Sequence, residues 1–224
     1  MNTSLMHNRS HQHGRGLNIL LAAIAAFAIG LAVYYFQDRL TNEASVDALQ
    51  KAVSLHSDPR ELPEFSLIDQ RGVDFKNKDL KGNWNLIFFG FTNCPDVCPL
   101  TLNILNQTVV ELEKFNTHPR NIFISVDPKR DQPNKLKEYV EHFSNKMIGL
   151  TGDKTQIDTL TQSLGAIYAI ANDSTDNYLV DHSAHVFVIA PDGKMVALFS
   201  TPHDAKVIAD DFKIISTLYK KQTS

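Results

Sequence analysis

The apolar positions of the chain follow two patterns, continuous runs and runs with helical spacing. Residues 86–91 are apolar throughout, as expected of a strand that is covered on both faces. Residues 121–126 form a second run of this kind. Between the two, apolar residues recur at steps of three and four over residues 101–115, which predicts a helix.

Both patterns continue to the C-terminus. Further helices are predicted over residues 133–143, 154–164 and 204–219, and further strands over residues 65–68, 73–75, 147–150, 167–170, 184–189 and 194–199. Strands that alternate with helices predict parallel βαβ units, and a closing hairpin adds antiparallel strands. The pattern therefore predicts an α/β domain with a mixed central sheet, which is the thioredoxin-like layout.

An apolar segment of different character precedes this domain. Residues 17–36 are interrupted only by Asn18 and by small residues, and as a helix they would be roughly 30 Å long, the thickness of the hydrocarbon core of a bilayer. A signal peptide has a shorter apolar region of about 7–15 residues. The segment is therefore predicted to be a transmembrane anchor, and an uncleaved anchor is favoured over a signal peptide.

The charges around this segment predict how the chain is oriented. Residues 1–16 form a short tail with Arg9 and Arg15 and no acidic residue, whereas the net charge of the whole chain is −3. The positive-inside rule then keeps the tail in the cytoplasm and exports a tether over residues 37–60 and a folded domain over residues 61–224. The predicted location is a bacterial inner membrane with a periplasmic domain. The alternative is the mitochondrial inner membrane, with the domain facing the intermembrane space.

The overall charge also bears on the class of partner. A net charge of −3 gives no support to a nucleic-acid binder that works through a basic face. We therefore predict that nucleic acid is not a partner.

The two cysteines of the chain lie in one pentapeptide, Cys94-Pro-Asp-Val-Cys98. They follow the predicted strand 86–91 at its carboxyl end, where ligand sites of open α/β sheets lie. If the segment is helical or turn-like, the spacing of four residues brings both sulfur atoms to the same side. The start of a helix is also expected to lower the pKa of a thiol there.

The spacing of the two cysteines alone leaves three interpretations open. Two thiolates are soft ligands that select Cu(I) or zinc. Thiol–disulfide exchange is the second interpretation, although its usual motif has one residue fewer between the cysteines. A structural disulfide is the third, but a loop this short gains little stability from a cross-link.

Three motifs occur in order along the predicted domain. Residues 88–99 read Phe-Phe-Gly-Phe-Thr-Asn-Cys-Pro-Asp-Val-Cys-Pro, residues 124–131 read Ile-Ser-Val-Asp-Pro-Lys-Arg-Asp, and residues 178–183 read Tyr-Leu-Val-Asp-His-Ser. Together with the apolar segment ahead of them, they resemble the Sco/SenC family of copper chaperones for cytochrome c oxidase assembly. The resemblance extends from about Leu62 to the C-terminal helix.

The resemblance implies a thioredoxin-like fold with an inserted hairpin and a copper site. Carried over by position, the metal ligands are Cys94, Cys98 and His182, and the metal is Cu(I), with Cu(II) as a second state. The implied function is delivery of copper to the binuclear copper site of cytochrome c oxidase. The implied partners are the copper-bearing subunit of the oxidase, a copper donor protein and a thiol reductant of the thioredoxin type.

The chain is thus predicted to be a metallochaperone rather than an enzyme. The alternative is a thiol–disulfide reductase that keeps the cysteines of the oxidase copper site reduced. The two functions differ in their need for His182, which copper binding requires and disulfide exchange does not.

The sequence also predicts where three neighbouring polar residues lie. His182 and His185 are three residues apart, so along a regular strand they would point to opposite faces. His182 precedes the predicted strand 184–189 and is expected on a loop, whereas His185 is expected inside the strand, packed against a helix. Asp127, at the end of the strand 121–126, is expected either to support the cysteine loop or to serve as a turn residue.

Overall fold

Six α-helices and ten strands occur in the part of the chain that the computed structural model describes, which is residues 12–41, 45–55, 57–170 and 180–223. The chain divides into two units, Met1–Glu43 and Ala44–Ser224. The predicted tail and the loop ahead of His182 lie partly outside the described residues.

The first unit contains one long helix, α1 (Gln12–Thr41). Large apolar side chains of this helix, such as Ile19 and Phe27, are exposed. Across the residues with described positions, no helix combines the length and the hydropathy needed to cross a membrane. The structure therefore does not support the transmembrane helix predicted over residues 17–36.

The second unit is built on an eight-stranded sheet. Its strands are β1 (Ala52–Ser54), β2 (Ser66–Asp69), β3 (Asp74–Lys76), β4 (Asn85–Gly90), β5 (Arg120–Ser125), β6 (Ile148–Thr151), β9 (Val186–Ile189) and β10 (Met195–Phe199). They lie in the order β1-β10-β9-β4-β5-β6-β2-β3. A separate two-stranded ribbon consists of β7 (Tyr168–Ile170) and β8 (Val180–His182).

The sheet is mixed, as predicted. Strands β4, β5 and β6 are parallel to each other, whereas β9 pairs antiparallel with β4, and β10 pairs antiparallel with β9. Central β4 is buried along its whole length, which explains its unbroken apolar sequence. The prediction of a thioredoxin-like α/β fold with a mixed sheet is confirmed.

Five helices belong to this unit: α2 (Asn77–Leu80), α3 (Val97–Glu113), α4 (Pro133–Phe143), α5 (Lys154–Leu164) and α6 (Ala205–Thr223). Proline opens α4, where its missing N–H costs nothing. Helix α3 packs with α6, and α4 packs on β6. Because α3 begins four residues earlier than predicted, Cys98 lies in its first turn.

Two short strands do not appear among the predictions. Strand β1 lies in the segment predicted as a tether, and it pairs with β10 at one edge of the sheet. Strand β8 ends at His182, and β9 begins only at Val186. His182 is therefore in a strand and His185 in the connection that follows, the reverse of the expected arrangement.

Candidate metal centre

The two cysteines lie together where β4 leads into α3. Cys98 is fully buried, whereas Cys94 is half-buried at the surface of the loop. The backbone N–H of Cys98 donates a hydrogen bond to Sγ of Cys94 over 3.4 Å, and no disulfide joins the two residues. The expectation that the spacing brings both cysteines to one side is confirmed.

The sulfur of Cys98 lies against the backbone of Gly90, the last residue of β4. A Cβ atom at position 90 would be 2.6 Å from Sγ of Cys98 and 2.8 Å from Cε2 of Phe123. Real Cβ atoms essentially never come this close to a neighbour. Glycine at the end of the strand therefore provides the space that the buried thiol occupies.

A buried carboxylate holds the loop ahead of the cysteines. Asp131 is 1% exposed and accepts hydrogen bonds from the backbone N–H of Thr92 over 2.8 Å and from the Thr92 hydroxyl over 2.5 Å. It also accepts a hydrogen bond of 2.6 Å from Ser125, at the end of β5. One carboxylate thus joins the ends of β4 and β5.

Asp127 has a different role from Asp131. Its carboxylate forms a close ion pair with Arg130, and its carbonyl accepts the N–H of Asp131 over 2.9 Å, so it organises the turn after β5. Between the two alternatives stated for Asp127, its contacts favour the turn. Support of the cysteine loop comes from Asp131, which the sequence analysis missed although it closes the second motif.

The electrostatic surroundings of Cys98 differ from the expectation. The hydrogen bond shared with Cys94 and then burial raise the pKa of Cys98, and the carboxylate of Asp131 acts in the same direction. The expected lowering at a helix start is therefore outweighed. A metal that binds here must displace the proton of a buried thiol.

Tyr139 of α4 is a neighbour of this pair that the sequence did not indicate. Burial raises the pKa of its phenol, and the nearby Cys98 and Cys94 raise it further. Its ring packs against Phe123, with 5.4 Å between the ring centroids. The hydroxyl is buried and has no hydrogen-bond partner within the described parts of the chain.

The structure places the two candidate histidines differently. The backbone of His182 ends β8 and is directly opposite Tyr168, but the side chain of His182 lies outside the described residues, as does that of Asp181. His185 is half-buried, with its ring edge-on to Phe187 at 6.2 Å between centroids. Its Nδ1 atom is buried and has no hydrogen-bond partner among the atoms described.

His203 is a third histidine close to this region, in the segment before α6. Its Nε2 atom lies 2.6 Å from the carbonyl oxygen of Ala184, and its Nδ1 atom is buried. Burial lowers the pKa of His203, and nearby His185 lowers it further. His203 is therefore held by a contact with a connection 19 residues away in sequence.

The donor atoms present here suit a soft metal. Two cysteine sulfur atoms are ligands that select Cu(I) or zinc, and the same two atoms can instead form a disulfide. No cluster of three or more metal-binding side chains occurs among those that the structure describes, a set that excludes the side chain of His182.

Comparison with known protein families gives a match that covers most of the chain. The family described as SCO1/SenC matches residues 54–216. This span contains all three motifs and the whole eight-stranded sheet except part of β1.

Individual relatives agree with this match. An SCO2-like protein of Rickettsia felis is 43% identical over 152 residues, which cover 67% of this chain and 74% of the relative. The crystal structure of Arabidopsis thaliana ScoI with copper bound is 33% identical, with a TM-score of 0.65 over 71% of this chain and 98% of that chain. A structure of BsSco, in which a disulfide switch was identified, is 27% identical, with a TM-score of 0.59 over 75% of this chain and 99% of that chain. BsSco is described as a member of the Sco family of cytochrome c oxidase assembly proteins.

Proposed function

Because this chain belongs to the SCO1/SenC family, we propose that it is a copper-binding protein of cytochrome c oxidase assembly. The observation that carries the proposal is the cysteine pair. Two thiols are adjacent at the carboxyl end of β4, one half-buried and one buried, with no disulfide between them. The copper-bound structure of the Arabidopsis relative supports copper over zinc as the metal.

The proposed ligands are Cys94, Cys98 and His182. One sulfur comes from the loop after β4 and the other from the first turn of α3, whereas His182 comes from a different part of the fold, the end of β8. Two thiolates and one imidazole form a low-coordinate site for Cu(I). Copper is the cargo of the protein, and its proposed destination is the binuclear copper site of the oxidase subunit.

Copper titration of the full chain tests the role of the thiols. The reduced chain, handled without oxygen, is expected to take up one Cu(I) per chain with high affinity. The disulfide form should bind copper far more weakly, because a disulfide has no thiolate to offer the metal. Equal uptake by the reduced and oxidised chains would show that the cysteines are not ligands.

Two histidine variants test the third ligand. His182→Ala is expected to weaken Cu(I) binding by at least about tenfold while the domain still folds. His185→Ala is the matched control, and it should lower the free energy of unfolding by about 1 kcal/mol with little change in copper affinity. Copper titrations and thermal melts of both variants provide the measurements. Loss of copper binding in His185→Ala but not in His182→Ala would overturn the ligand assignment.

A thiol–disulfide reductase is the second candidate function. In that reaction Cys94 and Cys98 form a disulfide, and the two electrons and two protons released convert a disulfide of the partner to two thiols. The adjacent thiols and the disulfide switch identified in BsSco favour this candidate. It predicts that His182→Ala retains the full rate of disulfide exchange with a model disulfide. A rate that falls with copper affinity in this variant would contradict it.

The proposed location is a bacterial inner membrane with the folded domain in the periplasm, and the mitochondrial intermembrane space is the alternative. The proposal rests on charge, because the only charged residues before position 37 are Arg9 and Arg15. A reporter that is active only outside the cytoplasm should be active when fused after Ser224. An inactive reporter in a stably expressed fusion would contradict the proposal.

A further inference from the structure

The strand that carries His182 is not part of the main sheet. Among the strands that the structure describes, β8 pairs only with β7, and each of the two has three residues. A two-stranded ribbon is at best marginally stable by itself in water. Contacts between the ribbon and the rest of the domain must therefore hold the backbone of His182 in place.

Within the described residues, apolar packing and a polar cluster join the ribbon to the domain. Val180, the first residue of β8, is 5% exposed and belongs to the hydrophobic core. On β7, the hydroxyl of Tyr168 donates a short hydrogen bond to the carboxylate of Asp158. Nζ of Lys154 donates to the same hydroxyl over 2.8 Å and to Oδ2 of Asp158 over 2.8 Å.

The cluster joins the ribbon to a helix that is itself well anchored. Lys154 and Asp158 are one turn apart on α5, and the apolar face of α5, with Ile157 and Leu160, is fully buried. The ammonium group of Lys154 also lies over the ring of Tyr168, 5.1 Å from its centroid. Tyr168 is thereby held by both its hydroxyl and its ring.

The pairing of β7 with β8 links the position of Tyr168 to that of His182. Tyr168 and His182 are directly opposite each other in the antiparallel pair. Next to them, Ser183 N–H donates to the carbonyl of Ile167 over 2.7 Å, and Ile167 N–H donates to the hydroxyl of Ser183 over 3.1 Å. A displacement of Tyr168 from α5 would therefore displace the backbone of His182.

We propose that Tyr168 is a positioning residue for the metal centre: its bonds to Asp158 and Lys154 fix the strand that carries His182. This inference rests on the proposed function, since it assumes that His182 is a copper ligand. Without these bonds the ribbon leaves its place for part of the time, and the apparent copper affinity falls with the fraction of chains in which the strand is held.

Tyr168→Phe tests the inference, because it removes the hydroxyl and keeps the ring. It is expected to weaken Cu(I) binding of the full chain by about tenfold, the effect of losing a hydrogen bond to a charged group. Asp158→Asn, which alters the other side of the same bond, should change the affinity in the same direction. Tyr219→Phe is the matched control: Tyr219 packs against Trp84 and interacts with Asp192, so copper affinity should stay at the parent value.

A double-mutant cycle separates positioning from a general effect on folding. If Tyr168 acts through His182, Tyr168→Phe should weaken binding in the parent chain but cause no further loss in the His182→Ala chain. Thermal melts of the copper-free variants should show the same transition for Tyr168→Phe and Tyr219→Phe to within a few degrees.

The outcomes that would overturn the inference differ from those that would refute the proposed function. Parent-like copper affinity in Tyr168→Phe, or an equal loss in both backgrounds, would overturn the positioning role and leave copper binding intact. A parent chain that binds no Cu(I) would refute the proposed function, and the inference with it.

Discussion

Position 90 leaves no space for a side chain between the end of β4 and the thiol of Cys98. The three atoms nearest to a Cβ there belong to Cys98, Phe123 and Phe88, at 2.6, 2.8 and 3.3 Å. All three side chains are fully buried, so none can move aside into solvent. The backbone at Gly90 has no positive φ angle, and the requirement for glycine is therefore purely one of space.

Gly90→Ala is expected to displace the sulfur of Cys98 and to lower the free energy of unfolding by about 2 kcal/mol. Copper affinity should fall as well, because one of the two proposed sulfur ligands moves. Urea unfolding and Cu(I) titration measure the two effects.

Gly149→Ala is the control for the loss of stability that a crowded Cβ atom causes away from the cysteines. A Cβ at position 149 would be 2.8 Å from Cγ of Leu136 and 3.0 Å from Cγ1 of Val140, on α4. This variant should lose a similar amount of stability and keep its copper affinity. If both glycine variants bound copper like the parent, the contact with Gly90 would have no part in placing the thiol.

At the scale of single elements, His203 links the segment before α6 to the connection between β8 and β9. Since Nε2 of His203 lies against the carbonyl oxygen of Ala184, this nitrogen carries the proton and donates it. The second nitrogen, Nδ1, is buried and has no acceptor within the described residues. Protonation of Nδ1 is therefore unfavourable in the folded state, and His185 opposes it further.

The lowered pKa of His203 predicts how stability depends on pH. The unfolded chain takes up a proton at His203 more readily than the folded chain does. The contribution of His203 to the free energy of unfolding is therefore fully present above pH 6.5, the ordinary pKa of histidine, and is lost as the pH falls through the lowered pKa of the folded state. His203→Gln should remove this component, since glutamine can donate to Ala184 but does not titrate. Thermal melts between about pH 7.5 and 5 compare the two chains. A variant whose melting temperature fell as steeply as that of the parent would exclude His203 as the source.

The long elements could be predicted from the sequence because their signals are local. The apolar run of β4 and the periodic apolar positions of α3 depend on neighbouring residues only, and both elements were predicted to within a few residues. The short strands β1 and β8 could not be predicted, since three residues carry almost no pattern. Their positions are determined by partners far away in sequence.

The same distinction applies to the candidate site. Cys94 and Cys98 were recognisable because their spacing is itself the signal. Asp131 was missed because its partner Thr92 is 39 residues away. For His182 and His185, the expected contrast between loop and strand was wrong, because it depended on where β9 begins. The assignment of His182 as a ligand therefore rests on the family motif.

At the scale of the whole folded unit, one buried carboxylate joins the C-terminal helix α6 to the residues at the start of β1. Asp211 of α6 is 0% exposed and accepts three backbone hydrogen bonds of 2.8 Å, from the N–H groups of Gln50, Lys51 and Ala52. These residues lead into β1, about 160 positions earlier in the sequence. Asp211 therefore ties the start of β1 to α6, in addition to the pairing of β1 with β10.

Asp211→Ala is expected to lower the free energy of unfolding by about 2–4 kcal/mol, because it leaves three backbone donors without their acceptor. Urea unfolding measures the loss, and hydrogen exchange at residues 50–52 should become faster. Asp210→Ala is the control, because Asp210 forms surface ion pairs with Lys206 and Lys213, which contribute at most about 1 kcal/mol. Equal losses in the two variants would contradict the role assigned to Asp211.

The position of β1 also bears on solubility. In a shortened chain that begins at Glu61, β10 would become the edge of the sheet. The backbone groups of Met195–Phe199 that face away from β9 would then lose their partners in β1 and at Arg60. This strand has no charged residue or proline, the two features by which proteins discourage edge-to-edge pairing. Such a chain would retain both cysteines and His182 and yet be prone to aggregation, whereas a chain that begins at Ala44 keeps the edge covered.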